Sequence, residues 1–181
     1  LLNHGVFSFG DTAEQSYARM IHLVGRAEAY LQSKGAWEVT RRETALAETP
    51  MSDIAALRTA LSKSAGMPVV MSTHAAPRHL HFARRSDIAS VSQRGPATPD
   101  HVLRTKRVPM VGRDIAAYER GYRNYFERHA PRAREKKTML DPAPRVILDP
   151  ALGLCCVGRT AKDASIVFDL YAHTIDVIER S

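Results

Sequence analysis

Three groups of side chains in this sequence have the types and spacing that chemistry needs. His4 stands in Asn3-His4-Gly5, inside an apolar opening run broken by glycine. A neutral imidazole there suits a transition metal, or equally a hydrogen bond to a neighbouring carbonyl at a strand end. His79 and His81, in Arg78-His79-Leu80-His81, are spaced as an H-x-H pair. In an extended segment alternate residues share a face, as two ligands of one metal require. The competing reading, a solvated loop beside Arg78, Arg84 and Arg85, is favoured because adjacent positive charge opposes a dication. The third group is Thr98, Asp100, His101, Arg104, Lys106 and Arg107. A helix start at this stretch would offer backbone N–H groups and cations to a phosphate. The favoured alternative is a proline-initiated turn whose Asp and Thr cap the local backbone. His22, His74, His129 and His173 show no partner pattern and read as surface or core histidines. No G-x-S-x-G, phosphate-loop or H-E-x-x-H motif occurs.

These side chains need elements to hold them. Thr12 followed by Gln15 has the form of a capping box, and Tyr17, Met20, Ile21, Val24, Ala27 and Leu31 recur at helical spacing up to Gly35. The beginning therefore reads as strand, tight turn and long helix. Residues 36–50 carry no sustained period and end in proline, as a linker does. A second unit follows: a helix from Ser52 to Gly66, a strand in the run from Met67 to Thr73, and a short helix around residues 85–95. After the 95–105 turn come a short strand at 108–111 and a helix from Arg113 with Ile115, Ala116, Tyr118, Tyr122 and Phe126 on a partly apolar face. Asp149-Pro150-Ala151 separates two apolar runs as a turn would, and a last helix starts after Thr160. Strands mixed with helices predict an α/β or α+β layered fold.

Composition bounds the rest. The chain has 181 residues, 44% hydrophobic and 25% charged, which is the balance of a globular protein with a core of its own. No apolar run approaches the ~20 residues needed to span a bilayer, and the opening lacks the basic leader of a signal peptide. We therefore expect no membrane partner and a cytoplasmic location. Cys155 and Cys156 are the only cysteines, and adjacent strand residues face opposite ways, so both are expected to be reduced packing residues. The net charge of +7 leaves room for a phosphorylated small molecule. The basic runs lack interleaved aromatics, so no nucleic-acid partner is expected.

The end of the chain repeats its beginning. A shift of 148 residues places Gly5 on Gly153, Gly10 on Gly158, Thr12 on Thr160 and Ala13 on Ala161. Apolar positions Val6, Phe9, Met20 and Tyr30 then fall on Leu154, Val157, Phe168 and Ile178, and His4 falls on Leu152. The identities lie where the backbone turns and where a helix is capped.

The opening from Leu1 to Leu31, with Asn3, His4, Gly5 and Gly10, resembles the C-terminal strand-turn-helix of the class II aldolase/adducin family. The stretches at 93–112 and 139–164 are similar to the aldolase half of bifunctional rhamnulose-1-phosphate aldolase/short-chain dehydrogenase proteins. The resemblance implies an α/β layered fold with a central, mainly antiparallel sheet flanked by helices. It divides the chain into residues 1–50, the end of one aldolase unit plus a linker, and residues 51–181, a second, degenerate aldolase-like unit. The sequence, which opens without Met, is then expected to be an internal piece of a longer chain.

In that family a zinc ion polarises the ketose carbonyl and stabilises the enediolate during carbon–carbon cleavage. The resemblance carries over to His4 alone, as a zinc ligand. The family's H-x-H pair and catalytic glutamate lie upstream of the Asn-His-Gly, so no catalytic residue is assigned in this sequence. His79 and His81 precede Leu152 in the order in which the family's H-x-H precedes its third ligand, but leucine occupies that third position. The implied partner is a phosphorylated sugar, L-rhamnulose 1-phosphate, in a homo-oligomer. NAD enters only through a dehydrogenase domain whose G-x-G-x-x-G this sequence lacks. The reading from a different class is a non-catalytic association module of the adducin kind.

Overall fold

The computed structural model describes residues 5–39 and 49–181. His4, together with Asn3 of the expected first strand, lies outside the described residues, as does most of the linker.

Helix α1 spans Ala13–Ser33, with Thr12 as its cap accepting from the Gln15 N–H. The reciprocal arm of the box reaches one residue further back, where the Asp11 N–H donates to Gln15 Oε1 at 3.1 Å. Residues 5–10 are not a strand, contrary to the expected strand-turn-helix. A strand is defined by its ladder partners, and none of the described residues pairs with this segment. For the same reason α1 has no buried residue, and Val6, Phe7, Phe9, Tyr17, Ile21 and Tyr30 are all exposed.

Pro50 opens helix α2, Met51–Ala65, and Gly66 closes it in the left-handed conformation. Strand β1, Val70–His74, follows, then helix α3, Pro77–Ala83, and a short helix α4, Ile88–Val91. A proline-led 3-10 turn at Pro99–His101 runs into helix α5, Val102–Thr105, and the short strand β2, Met110–Val111. Helix α6, Ile115–His129, is capped by Asp114. Its Ile115, Tyr118, Tyr122 and Phe126 are half-buried as the period predicts, whereas Ala116 is exposed. Strands β3, Val146–Asp149, and β4, Gly153–Gly158, form a hairpin around Pro150–Leu152, and helix α7, Ala161–Glu179, completes the fold.

The four strands lie in the order β1-β4-β3-β2. Strand β4 is antiparallel to both β1 and β3, but β2 pairs parallel to β3 through Met110–Ile147 and Val111–Leu148. The sheet is therefore mixed, which corrects the expectation of a mainly antiparallel one. Strand β2 has only two residues, too few for alternation to reveal its direction.

Every residue of β3 and β4 is buried, because helices cover both faces. Ile147, Cys155 and Val157 pack with Leu57 and Leu61 of α2 on one side. Val146, Leu148, Leu154 and Cys156 pack with Phe82 of α3 and Val167, Tyr171 and Ile175 of α7 on the other. The two cysteines fall on opposite faces and are both free, as alternation requires.

The internal repeat has a structural counterpart. Thr12 and Thr160 adopt the same extended backbone, φ −130° and −128°, and accept from the N–H three residues on. A Cβ at Gly10 would stand 2.7 Å from the Gln15 Cβ, and one at Gly158 2.6 Å from the Asp163 Cβ, the same offset of five residues. Both helices thus leave their turns by one steric device, a bare backbone passing under the first turn.

Candidate functional site

The fold disposes of the H-x-H reading first. Pro77 stands at the first helical position and turns the segment into α3, so His79 and His81 are neither extended nor in a loop. Two residues apart on a helix, their side chains diverge by about 200° around the axis. His79 is buried, with its ring edge-on to His74 at 6.2 Å and to Phe168 at 5.6 Å, while His81 is half-buried. The overlooked signal was apolar: Leu80, Phe82 and Ala83 are buried along this helix.

His79 is an unusual core residue, because neither ring nitrogen has a hydrogen-bond partner. Burial, then the Arg78 and His74 charges, pushes its imidazole down to about 4. The folded value lies below the unfolded one near 6.5, so between those values the unfolded chain binds more protons. The stability His79 supports is complete above pH ~6.5 and is lost as pH falls through about 4. A His79→Leu variant removes this component, and at neutral pH it is neutral to slightly stabilising, because two orphaned polar atoms leave the core. Urea midpoints at pH 7 and pH 5 check this: the difference between them shrinks in the variant.

At the position aligned with His4, Leu152 is buried against Leu57, Leu61 and Cys155, in core rather than at a surface. Gly153, next in the hairpin, has φ +75°, and a Cβ there would collide with the His74 carbonyl oxygen. Asp149 holds the turn: its carboxylate accepts from the N–H groups of Ala151 (2.8 Å) and Leu152 (2.9 Å) and from Arg113 Nε (2.5 Å). Among the described residues no three His, Cys, Asp or Glu side chains converge as a metal site would need. The residues of the second unit therefore do not fit a zinc ion.

The 98–107 stretch is organised differently from either expectation. Thr98 extends the backbone before the 3-10 turn without making a side-chain cap. His101 lies edge-on to His173 at 6.3 Å. The three cations separate. Lys106 is buried, with its ammonium on the Asp141 carbonyl and 4.0 Å over the Tyr122 ring. Burial pushes its amine down to about 8, against the opposing pull of Asp141. Its φ of +60° with an extended ψ is a conformation that ordinarily belongs to glycine. Arg107 covers Tyr125 at 5.0 Å and lines a cleft of about 250 Å³ with Tyr118 and Tyr122. Arg104 lines a second cleft of about 400 Å³ with Arg145 and Arg159. Asp141, which Arg145 grips at 3.0 and 2.5 Å, ties the Lys106 side of this arrangement to the arginine side.

Three comparisons bear on this arrangement. Residues 48–181, most of the chain, match the family model described as the second domain of class II aldolases. A curated relative from Bacillus subtilis (strain 168), named "Uncharacterized oxidoreductase YuxG", is 26% identical over 201 aligned residues. The match covers 97% of this chain and spans only 28% of that relative's length. No solved structure matches the chain. Among the described residues, no helix is long and apolar enough to cross a membrane.

Proposed function

Because the chain belongs to the class II aldolase family, we propose that it works as part of a zinc-dependent aldolase acting on a phosphorylated ketose. The reaction is cleavage of L-rhamnulose 1-phosphate to dihydroxyacetone phosphate and L-lactaldehyde, and the enzyme is a cytoplasmic homo-oligomer. Residues 1–50 end the metal-binding unit, and His4 is one zinc ligand, with the others outside this sequence. Residues 51–181 are a second unit that scaffolds the first. Zinc would supply a Lewis acid at the ketose carbonyl.

The observation that carries this reading is the repeat: the capping threonines and crowded glycines coincide, and His4 aligns with a leucine that is core in the second copy. The relative's name, an oxidoreductase, supports a bifunctional arrangement in which NAD is bound by a dehydrogenase domain outside this sequence. A second reading, an adducin-like association module, is favoured by the exposed apolar side chains of residues 6–30.

Zinc analysis separates the two. A protein extended upstream by one aldolase domain is expected to hold stoichiometric zinc, to lose it with His4→Ala, and to lose aldol cleavage with it. If the extended protein holds no zinc with His4 intact, the association module replaces the aldolase.

A further inference from the structure

The turn from β4 into α7 carries a cleft that the aldol reading does not use. Gly158 passes so tightly under α7 that a Cβ would stand 2.5 Å from the Ala164 nitrogen, which fixes the course of the chain at that point. Arg159 follows, exposed, and shares the cleft of about 400 Å³ with Arg104 of α5 and Arg145 from the entry to β3. Leu103 and Val167 supply an apolar part of its wall.

Charge in this cleft is unbalanced. Arg145 is oriented by its two-pronged contact with Asp141. Arg104 reaches Asp163 only at 3.4 Å, in a pair that is 53% and 34% exposed, a type of contact that holds a side chain weakly. Arg159 makes no ion pair among the described residues. Arg104, Arg145 and Arg159, from three separate elements, therefore line the cleft against two carboxylates, Asp163 on its wall and Asp141 behind Arg145, which leaves the Arg159 charge uncompensated. The Arg159 charge is not inherited from the repeat, since the first copy has Asp11 at that position.

We propose that the cleft between α5, the entry to β3 and the β4–α7 turn binds a phosphomonoester dianion on a small molecule, through Arg104, Arg145 and Arg159. Guanidinium forks match phosphate oxygens two at a time, which single ammonium groups do not. The volume lies in the ~300–1,000 Å³ range of small-molecule sites, so an organic portion can lie on Leu103 and Val167 while the phosphate meets the arginines. Asp163 competes with the ligand for Arg104. This site stands on the cleft alone and is independent of whether His4 holds zinc.

Calorimetric titration at physiological salt tests it, with inorganic phosphate and glycerol 3-phosphate as probes and glycerol as control. Saturable binding of the phosphates but not glycerol is expected, at least tenfold weaker in Arg159→Ala and absent in the Arg104→Ala/Arg159→Ala double variant. Asp163→Asn is expected to bind several-fold tighter, a gain that misfolding does not produce. Arg123→Ala, at an exposed position of α6, is expected to bind as the parent does. An ester that binds tenfold tighter than inorganic phosphate supports the proposal as stated. Equal affinities overturn its small-molecule part in favour of a free phosphate site. The whole proposal fails if binding does not saturate, survives the double variant, or weakens equally in Arg123→Ala.

Discussion

Gly153→Ala is expected to destabilise the protein by about 3–5 kcal/mol, the upper range for a single substitution. Two costs add at this residue. A φ of +75° is unfavourable by roughly 1–2 kcal/mol for any residue with a Cβ. The new methyl also meets the His74 carbonyl, which is backbone of β1 and cannot rotate aside. Strand β1 pairs with β4 along its whole length, from Val70–Gly158 to His74–Leu154, so relief requires shifting one strand against the other. Gly66→Ala is the matched control: φ is +68° but nothing lies within 4 Å, so only the conformational cost of about 1 kcal/mol applies. Thermal unfolding separates the two. At roughly 2–4 °C per kcal/mol for a chain of this size, Gly153→Ala melts lower by about 10 °C and Gly66→Ala by a few degrees. Similar losses in both variants would show that the hairpin does not lie against β1.

Asp149→Ala is expected to cost about as much, roughly 3–5 kcal/mol. The carboxylate is buried on the edge of the same hairpin, and its loss strands the N–H of Leu152, which is buried, together with that of Ala151. Burial pushes the Asp149 carboxyl up, but Arg113 and the two N–H groups outweigh it and hold the group below the usual carboxylate range. The folded value is then lower than the unfolded one near 3.9, so the unfolded chain takes up protons first on acidification. The stabilisation is complete above about pH 4 and drains away as pH falls below it. Asp149→Asn keeps one acceptor and removes the titration, so its unfolding free energy is lower at pH 7 but declines less between pH 5 and pH 3. A variant with the same acid sensitivity as the parent would mean that Asp149 does not carry the linkage. Burial pushes the Asp141 carboxyl up, but Arg145, Lys106 and the Ala143 backbone together outweigh it and hold the group below its usual range, so it contributes a decline of the same sign in both proteins.

Local rules were enough for much of this architecture. Thr12, Thr160 and Gly66 mark helix ends because their preferences are set by the adjacent backbone N–H groups or by the lack of a Cβ, whatever surrounds them. The Asp149-Pro150-Ala151 turn was legible on the same grounds, and the adjacent cysteines fell on opposite faces because strand geometry leaves no choice.

Other features depended on partners far along the chain. Residues 6–9 look like a strand by composition, yet a strand exists only where another chain segment completes its ladder. The two-residue strand β2 took its parallel direction from β3, which lies 35 residues later. His79 and His81 followed the proline before them into a helix, so a spacing that suits metal ligation in an extended chain separated them instead.

Lys106, Asp141 and Arg145 meet between the end of α5 and the approach to β3, and no periodicity joins Lys106 to the other two. Nor could the sequence show that Arg104 and Arg159, 55 positions apart, wall one cleft with Arg145. Composition established that the chain is basic, because net charge is a sum over residues. Where that charge concentrates was decided by packing, because only the tertiary fold brings guanidinium groups from three elements to one surface.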